Sequence, residues 1–218
     1  MRKILFCVFI LIPFFTNAQI YKMYQTRNVH NQLRLNTANG EVRQIQDDGQ
    51  SWIICYEKEL LGKTAGRFCL YETQNMWNFI MLDTYTGKNW QVQYSVEGPE
   101  YMFATPINQY SLAYPSSTSL WTNRFQMFAT KNMWNFIMLD TYEGRLWQVQ
   151  YSADDMSALV CIPINSKPLV STRTKPSFSI QPLVSMYQYY LIDEMTGNMW
   201  KFQWSTEGDD YRWIERFR

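Results

Sequence analysis

The sequence predicts an all-β fold made from four copies of one motif. Three observations carry this. Residues 67–108 and 124–165 align without a gap, with 24 of 42 positions identical. Two weaker copies fall in register with them, so that the copies begin at Tyr21, Phe68, Phe125 and Phe178. No copy shows the 3.6-residue apolar period of a helix, whereas each shows short runs of strand type.

The third copy illustrates the elements in order. Phe125 to Thr130 is a short aromatic-rich run and reads as a first strand. Trp134 to Leu139 is almost continuously apolar, as a strand buried on both faces must be. Asp140-Thr141-Tyr142-Glu143-Gly144 follows. An Asp opens such a turn by accepting from backbone N–H groups, and the Gly supplies the positive φ of a hairpin. Leu146 to Tyr151 alternates, with Trp147, Val149 and Tyr151 on one face and Gln148 and Gln150 on the other. Ala158 to Ile164 reads as a fourth strand.

Four strands per copy and a period of about 50 residues suit a four-bladed β-propeller, in which antiparallel sheets pack face to face around a ring. The alternative is an open β-solenoid of stacked hairpins, which needs capping repeats at its two ends. In Asp83-Thr84-Tyr85-Thr86-Gly87-Lys88-Asn89-Trp90 the turn resembles the Asp-x-x-Thr-Gly-Lys signature of quinoprotein-type blades, with the Trp one position early. The chain thus resembles bacterial exported propeller-type repeat proteins. The resemblance implies a blade type and carries no quinone chemistry.

Composition bounds function. Aromatics reach 17% and charged residues only 18% of the 218 residues, which excludes a disordered chain. The formal charge is +1, without the excess of basic residues that nucleic acid demands. Met1-Arg2-Lys3, an apolar run from Ile4 to Phe15, and Thr16-Asn17-Ala18 read as a secretory signal peptide (1–18) ahead of one repeat domain (19–218). The expected location is the periplasm or the cell exterior. No later segment is apolar enough to span a bilayer. After the leader remain Cys55, Cys69 and Cys161, expected as free thiols.

Candidate chemistry is sparse. Asp83, Asp140 and Asp193, with Asn36 in the first copy, recur at one turn position, which is where an Asp serves the backbone. Asp154-Asp155 and Glu207 to Asp210 read as solvated hairpin tips without the spacing of a calcium loop. Gln46, Gln93, Gln150 and Gln203 occupy one position in all four copies, as do Asn31, Asn78, Asn135 and Gln188. Such amide sets either line a channel or satisfy buried backbone groups. Trp77, Trp134, Trp90, Trp147 and Trp200 sit at repeated positions and read as core. Tyr110, Tyr114 and Trp121, in an insertion between copies, and Trp213 near the C-terminus do not repeat, which makes them candidate binding residues. The single His, His30, stands where other copies have Trp77, Trp134 and Tyr187, and reads as a packed or edge residue.

The expectation is therefore an exported, non-enzymatic binding protein that needs no cofactor or metal. It would hold another protein through inter-blade loops or the ring mouth, in one version as a periplasmic immunity protein that neutralises a toxin. The alternatives are a glycan-binding module and a carboxylate-dependent glycan hydrolase.

Overall fold

The computed structural model describes residues 19–55, 64–113, 123–171 and 174–217. The leader, Tyr114 and Trp121 lie outside them. The described chain forms four sheets, each an antiparallel meander of four consecutive strands. Blade 1 is β1 (Tyr21–Gln25), β2 (Asn31–Asn36), β3 (Val42–Gln46) and β4 (Ser51–Cys55). Blade 2 is β5 (Phe68–Glu72), β6 (Asn78–Asp83), β7 (Asn89–Gln93) and β8 (Phe103–Asn108). Blade 3 is β9 (Phe125–Ala129), β10 (Asn135–Asp140), β11 (Arg145–Gln150) and β12 (Val160–Asn165). Blade 4 is β13 (Phe178–Pro182), β14 (Gln188–Asp193), β15 (Met199–Gln203) and β16 (Trp213–Arg216). This is the all-β architecture of four propeller-like blades that the repeat predicts; the apolar junctions run from blade 1 to 2, 2 to 3 and 3 to 4, which leaves blades 1 and 4 with outer faces. Every expected strand is present, displaced by a residue or two. The apolar runs behave as read: every residue of β6 and of β10 is buried.

Each blade leans on the next in the same way. Its second strand receives the first strand of its successor, and the fourth strands of successive blades touch. The contact is locked at the tight turn. The backbone N–H groups of Phe68, Phe125 and Phe178 donate to the carbonyls of Thr37, Thr84 and Thr141 at 2.8–3.0 Å. Their rings cover the turn glycines of the preceding blade. Three apolar cores follow, one per junction. Between blades 1 and 2, for example, Leu33, Leu35 and Val42 meet Phe68, Leu70, Phe79, Met81 and Trp90. The other two cores join blades 2 and 3 and blades 3 and 4.

The two outer faces differ from this pattern. On blade 1, Gln32, Arg34 and Arg43 replace the buried Phe79, Met81 and Trp90 of blade 2. Tyr21, the counterpart of buried Phe68, is 53% exposed. Arg34 stacks over it at 5.1 Å, and Glu41 pairs with Arg43 at 2.7 Å. On blade 4, Glu194 takes the place of the turn Thr, and Lys201 that of Gln91. A polar outer face is what a terminal repeat of a stacked array needs.

A paired substitution reads out this asymmetry. Gly144 has φ +69°, and a Cβ there would lie 2.9 Å from the ring of Phe178; Gly197 has φ +72° and nothing within 4 Å. Ala at either site suffers the left-handed backbone, about 1–2 kcal/mol. At Gly144 overpacking adds about 1–3 kcal/mol. Urea unfolding should therefore rank Gly144→Ala clearly below Gly197→Ala. Equal stabilities would show that blade 4 is covered as blade 3 is.

Candidate interaction site

A meander places its first and third loops at one end of the sheet and its tight turn at the other. Each blade therefore contributes two loops to a common edge. They are 26–30 and 47–50 in blade 1, 73–77 and 94–102 in blade 2, 130–134 and 151–159 in blade 3, and 183–187 and 204–212 in blade 4.

In blades 1 to 3 the first loops are held by their own side chains, which bond the backbone. Thr73 Oγ1 donates to the carbonyls of Asn75 and Asn78, both at 2.8 Å. Asn75 Oδ1 accepts from the Trp77 N–H at 2.9 Å. Thr130 and Asn132 repeat these bonds in blade 3. Neighbouring first loops are tied together. Arg27 donates to the Gln74 carbonyl at 2.7 Å, Gln74 Nε2 to the Thr130 carbonyl at 3.5 Å, and Lys131 Nζ to the Val184 carbonyl at 2.9 Å.

The third loops of blades 2 to 4 each carry a short 3-10 turn, Pro99–Tyr101, Met156–Ala158 and Asp209–Tyr211. Below each turn an aromatic pair fills the blade end. The centroids are 5.3 Å apart for Trp77 and Tyr94, 5.2 Å for Trp134 and Tyr151, and 5.1 Å for Tyr187 and Trp204. In blade 1 the same two positions hold His30 and Asp47, whose side chains meet at 3.1 Å. With a four-residue turn and no ring pair, this end of blade 1 opens into a cavity of about 350 Å³, lined among others by Asn28, Gln46, Asp48 and Val96. Of the two readings of His30, packed or edge, the structure has the edge one: its side chain is exposed and paired with Asp47.

The edge presents apolar side chains to solvent. Among the described residues, eight of the fifteen exposed large hydrophobic ones belong to it: Val29, Met76, Val96, Tyr101, Met156, Val184, Tyr187 and Tyr211. Between them stand the carboxylates of the third loops, Asp47 and Asp48, Glu97 and Glu100, Asp154 and Asp155, and Glu207, Asp209 and Asp210, all exposed. Asp155 also caps its 3-10 turn, accepting from the Ser157 N–H at 2.8 Å. Those bonds to Ser157 pull its carboxyl below the usual range.

The residues singled out from sequence fall into different places. Gln93, Gln150 and Gln203 do not meet. Each donates to a carbonyl of its own third loop, that of Tyr101, Ala158 or Tyr211, at 3.1–3.2 Å. Gln46 lines the blade 1 cavity. The amides that join blades stand two residues earlier. Gln44 Nε2 donates to Asn31 Oδ1 and to the Ser95 carbonyl of blade 2, at 2.6 and 2.7 Å. Gln91 does the same with Asn78 and Ser152, and Gln148 accepts from the Ser205 N–H at 3.3 Å.

Tyr110, 71% exposed, lies on the opposite, tight-turn edge. It borders a cavity of about 390 Å³ with Ile107, Asn108 and Cys161. Trp213 is half-buried at the start of β16 under the Lys201 ammonium, 5.8 Å from its ring. Tyr110 and Trp213 therefore do not form one site. The recurring Asp residues hold turns as expected. Asp83 Oδ1 accepts from the Tyr85 N–H and also from Arg67, at 3.0 and 2.9 Å. No disulfide joins the described cysteines. Burial pushes the Cys69 thiol up, and the Cys161 thiol to about 12, which withholds the thiolate at neutral pH. Among the described residues no three His, Cys, Asp or Glu side chains are grouped to hold a metal ion, and no helix is long and apolar enough to cross a membrane.

No family model and no curated protein matches the chain. Solved structures match its fold. A "putative 6-phosphogluconolactonase" from Bacteroides uniformis superposes with a TM-score of 0.52 at 10% identity, over 89% of this chain and 55% of that one. An auxiliary nutrient binding protein from Bacteroides thetaiotaomicron gives 0.45 at 9% identity, over 89% and 46%. A protein from Lactobacillus plantarum gives 0.45 at 10% identity, over 91% and 55%. This chain is similar to them in fold alone. It spans about half the length of the structures it matches.

Proposed function

We propose that this chain is an exported, non-catalytic binding protein that holds a protein partner against its loop edge. The observation that carries the reading is the concentration of exposed apolar side chains there, on loops whose backbones are already tied down. Exposed apolar patches of this kind mark interaction sites, and aromatic anchors on rigid loops lose little entropy on binding. Tyr101 and Tyr211, 51% and 52% exposed, stand at equivalent places in blades 2 and 4. The leader-like N-terminus supports a partner met in the periplasm or outside the cell.

The test is capture from an extract of the native host. The unmodified chain and the Tyr101→Ala/Tyr211→Ala variant are immobilised in parallel, with Tyr110→Ala as a control on the opposite edge. The double variant should hold its specific protein partner at least about tenfold more weakly, the loss of two interface anchors. Retention by the double variant with release by Tyr110→Ala would overturn the reading. Capture of glycan alone, or turnover of a polysaccharide, would replace it.

A further inference from the structure

The loop edge is also strongly charged, and of its nine third-loop carboxylates only Asp47, Asp48, Asp155 and Asp209 serve the fold through a hydrogen bond or ion pair. Nine of the 19 Asp and Glu residues of the chain lie in its four third loops, against three of the 20 Lys and Arg residues on the whole edge. Those three cations are already engaged. Arg27 and Lys131 bind carbonyls of the neighbouring first loop, and Arg212 binds the Ser205 carbonyl and Asp209. What faces solvent is a row of carboxylates that repeats from blade to blade. Sheets pack about 10 Å apart, close to the Debye length of about 10 Å at 0.1 M salt. The fields of adjacent blades are therefore only partly screened from one another and reinforce each other most at low salt.

The internal repeat supplies an independent observation. Copies 2 and 3 are identical at 24 of 42 positions, yet residues 96–105 and 153–162 share none. Across this stretch identity is lost, but the negative sign is kept, as Glu97 and Glu100 in one copy and Asp154 and Asp155 in the other. Blade 1 keeps it with Asp47 and Asp48 on a turn of a different length. Like charges in a row destabilise the chain that carries them. Here they alternate with exposed Val96, Tyr101, Met156 and Tyr211.

We infer that the partner presents a basic face, a run of Lys and Arg side chains spaced to meet successive acidic turns while its apolar groups settle on the Tyr and Met side chains. This rests on the loop edge being the binding surface. Complementary charge of this kind sets encounter rate and rejects acidic competitors, whereas the apolar anchors set residence time.

Labelled dodecalysine and dodecaglutamate serve as probes on the full chain, read by fluorescence anisotropy. Dodecalysine should bind, and its affinity should fall by about tenfold or more between about 50 and 300 mM salt, as screening requires. Dodecaglutamate should not bind. The edge variant Glu100→Gln/Asp210→Asn should bind dodecalysine about fivefold or more weakly, while the off-edge control Glu194→Gln/Glu215→Gln changes it less than about twofold. Neither edge carboxylate accepts a hydrogen bond that the fold uses, and thermal melts of both variants are the check on folding. No dodecalysine binding, or equal losses in the two variants, would overturn the inference. A host partner released by Tyr101→Ala/Tyr211→Ala but not by Glu100→Gln/Asp210→Asn would remove the basic partner and leave the binding edge standing. Release by neither would remove both.

Discussion

Replacing Phe125 by Ala should destabilise the chain by about 3–5 kcal/mol, the range for a fully buried aromatic. Its ring lies between two blades, 5.8 Å from Trp147 and against Gly87, where a Cβ would sit 3.1 Å from it. Its N–H donates to the Thr84 carbonyl at 2.9 Å. The cavity would open at the junction of blades 2 and 3, in the middle of the array, where no end can relax to fill it. Tyr21→Ala is the matched comparison. It removes the equivalent ring from the outer face of blade 1 and should cost less than about 1 kcal/mol, as exposed substitutions do. Urea midpoints measured on both variants check this. Similar losses would mean that the outer face of blade 1 is packed like the inner ones.

Replacing Arg124 by Met should cost a similar 3–5 kcal/mol, the usual penalty for stripping one partner from a buried ionic group. Arg124 donates to Asp140 Oδ2 at 2.8 Å and stands 3.1 Å from Glu143 Oε1. Arg145 reaches the same two carboxylates at 3.2 and 2.8 Å, and also donates to the Leu112 carbonyl at 2.7 Å. All four side chains are buried. Without Arg124, Asp140 and Glu143 would each lose a cation, and Asp140 would lose part of what holds its turn. Blade 1 offers the contrast. Glu41→Gln breaks ion pairs with Arg34 and Arg43 that are partly solvated, and should change stability by less than about 1 kcal/mol. Thermal melts of the two variants separate a structural ionic core from surface pairing.

Much of the fold was legible in the sequence because a repeat is its own alignment. Positions that stay apolar in each middle copy are junction positions, and Asp (Asn36 in the first copy) followed four residues later by Gly marks the same turn four times. The amides were harder to place. Gln91 and Gln93 alternate with Trp90 and Val92 and so point to one face, and strand periodicity cannot say which of them reaches the next blade. Nearness to the end of β7 decides it: Gln93 stands beside its own 3-10 turn, whereas Gln91 sits deeper, opposite Asn78 and Ser152. The different outer faces were signalled by Lys201 in the place of Gln91, and by Arg34 and Arg43 in the places of Met81 and Trp90. The loop edge was visible only in pieces. Asp154-Asp155 and Glu207 to Asp210 stand out as acidic stretches, but only the meander and the blade stacking bring them to one side with Asp47 and Glu97. The exposed aromatics Tyr101 and Tyr211 were hidden among many aromatics that are core. The His30 column is aromatic elsewhere, which leaves a packed or an edge residue open; the loss of its aromatic partner, with Asp47 in place of Tyr94, is the change that puts it at the edge in solvent.

The central claim is that the rings and amides between blades are structural and that binding belongs to the loop edge. Hydrogen exchange of the chain, alone and with its captured host partner, tests it most directly. New protection should fall on residues 94–102, 151–159 and 204–212 and on the first loops beside them. The tight turns and residues 109–113 should exchange as before. Protection confined to the Tyr110 side, or to the outer faces of blades 1 and 4, would contradict the account.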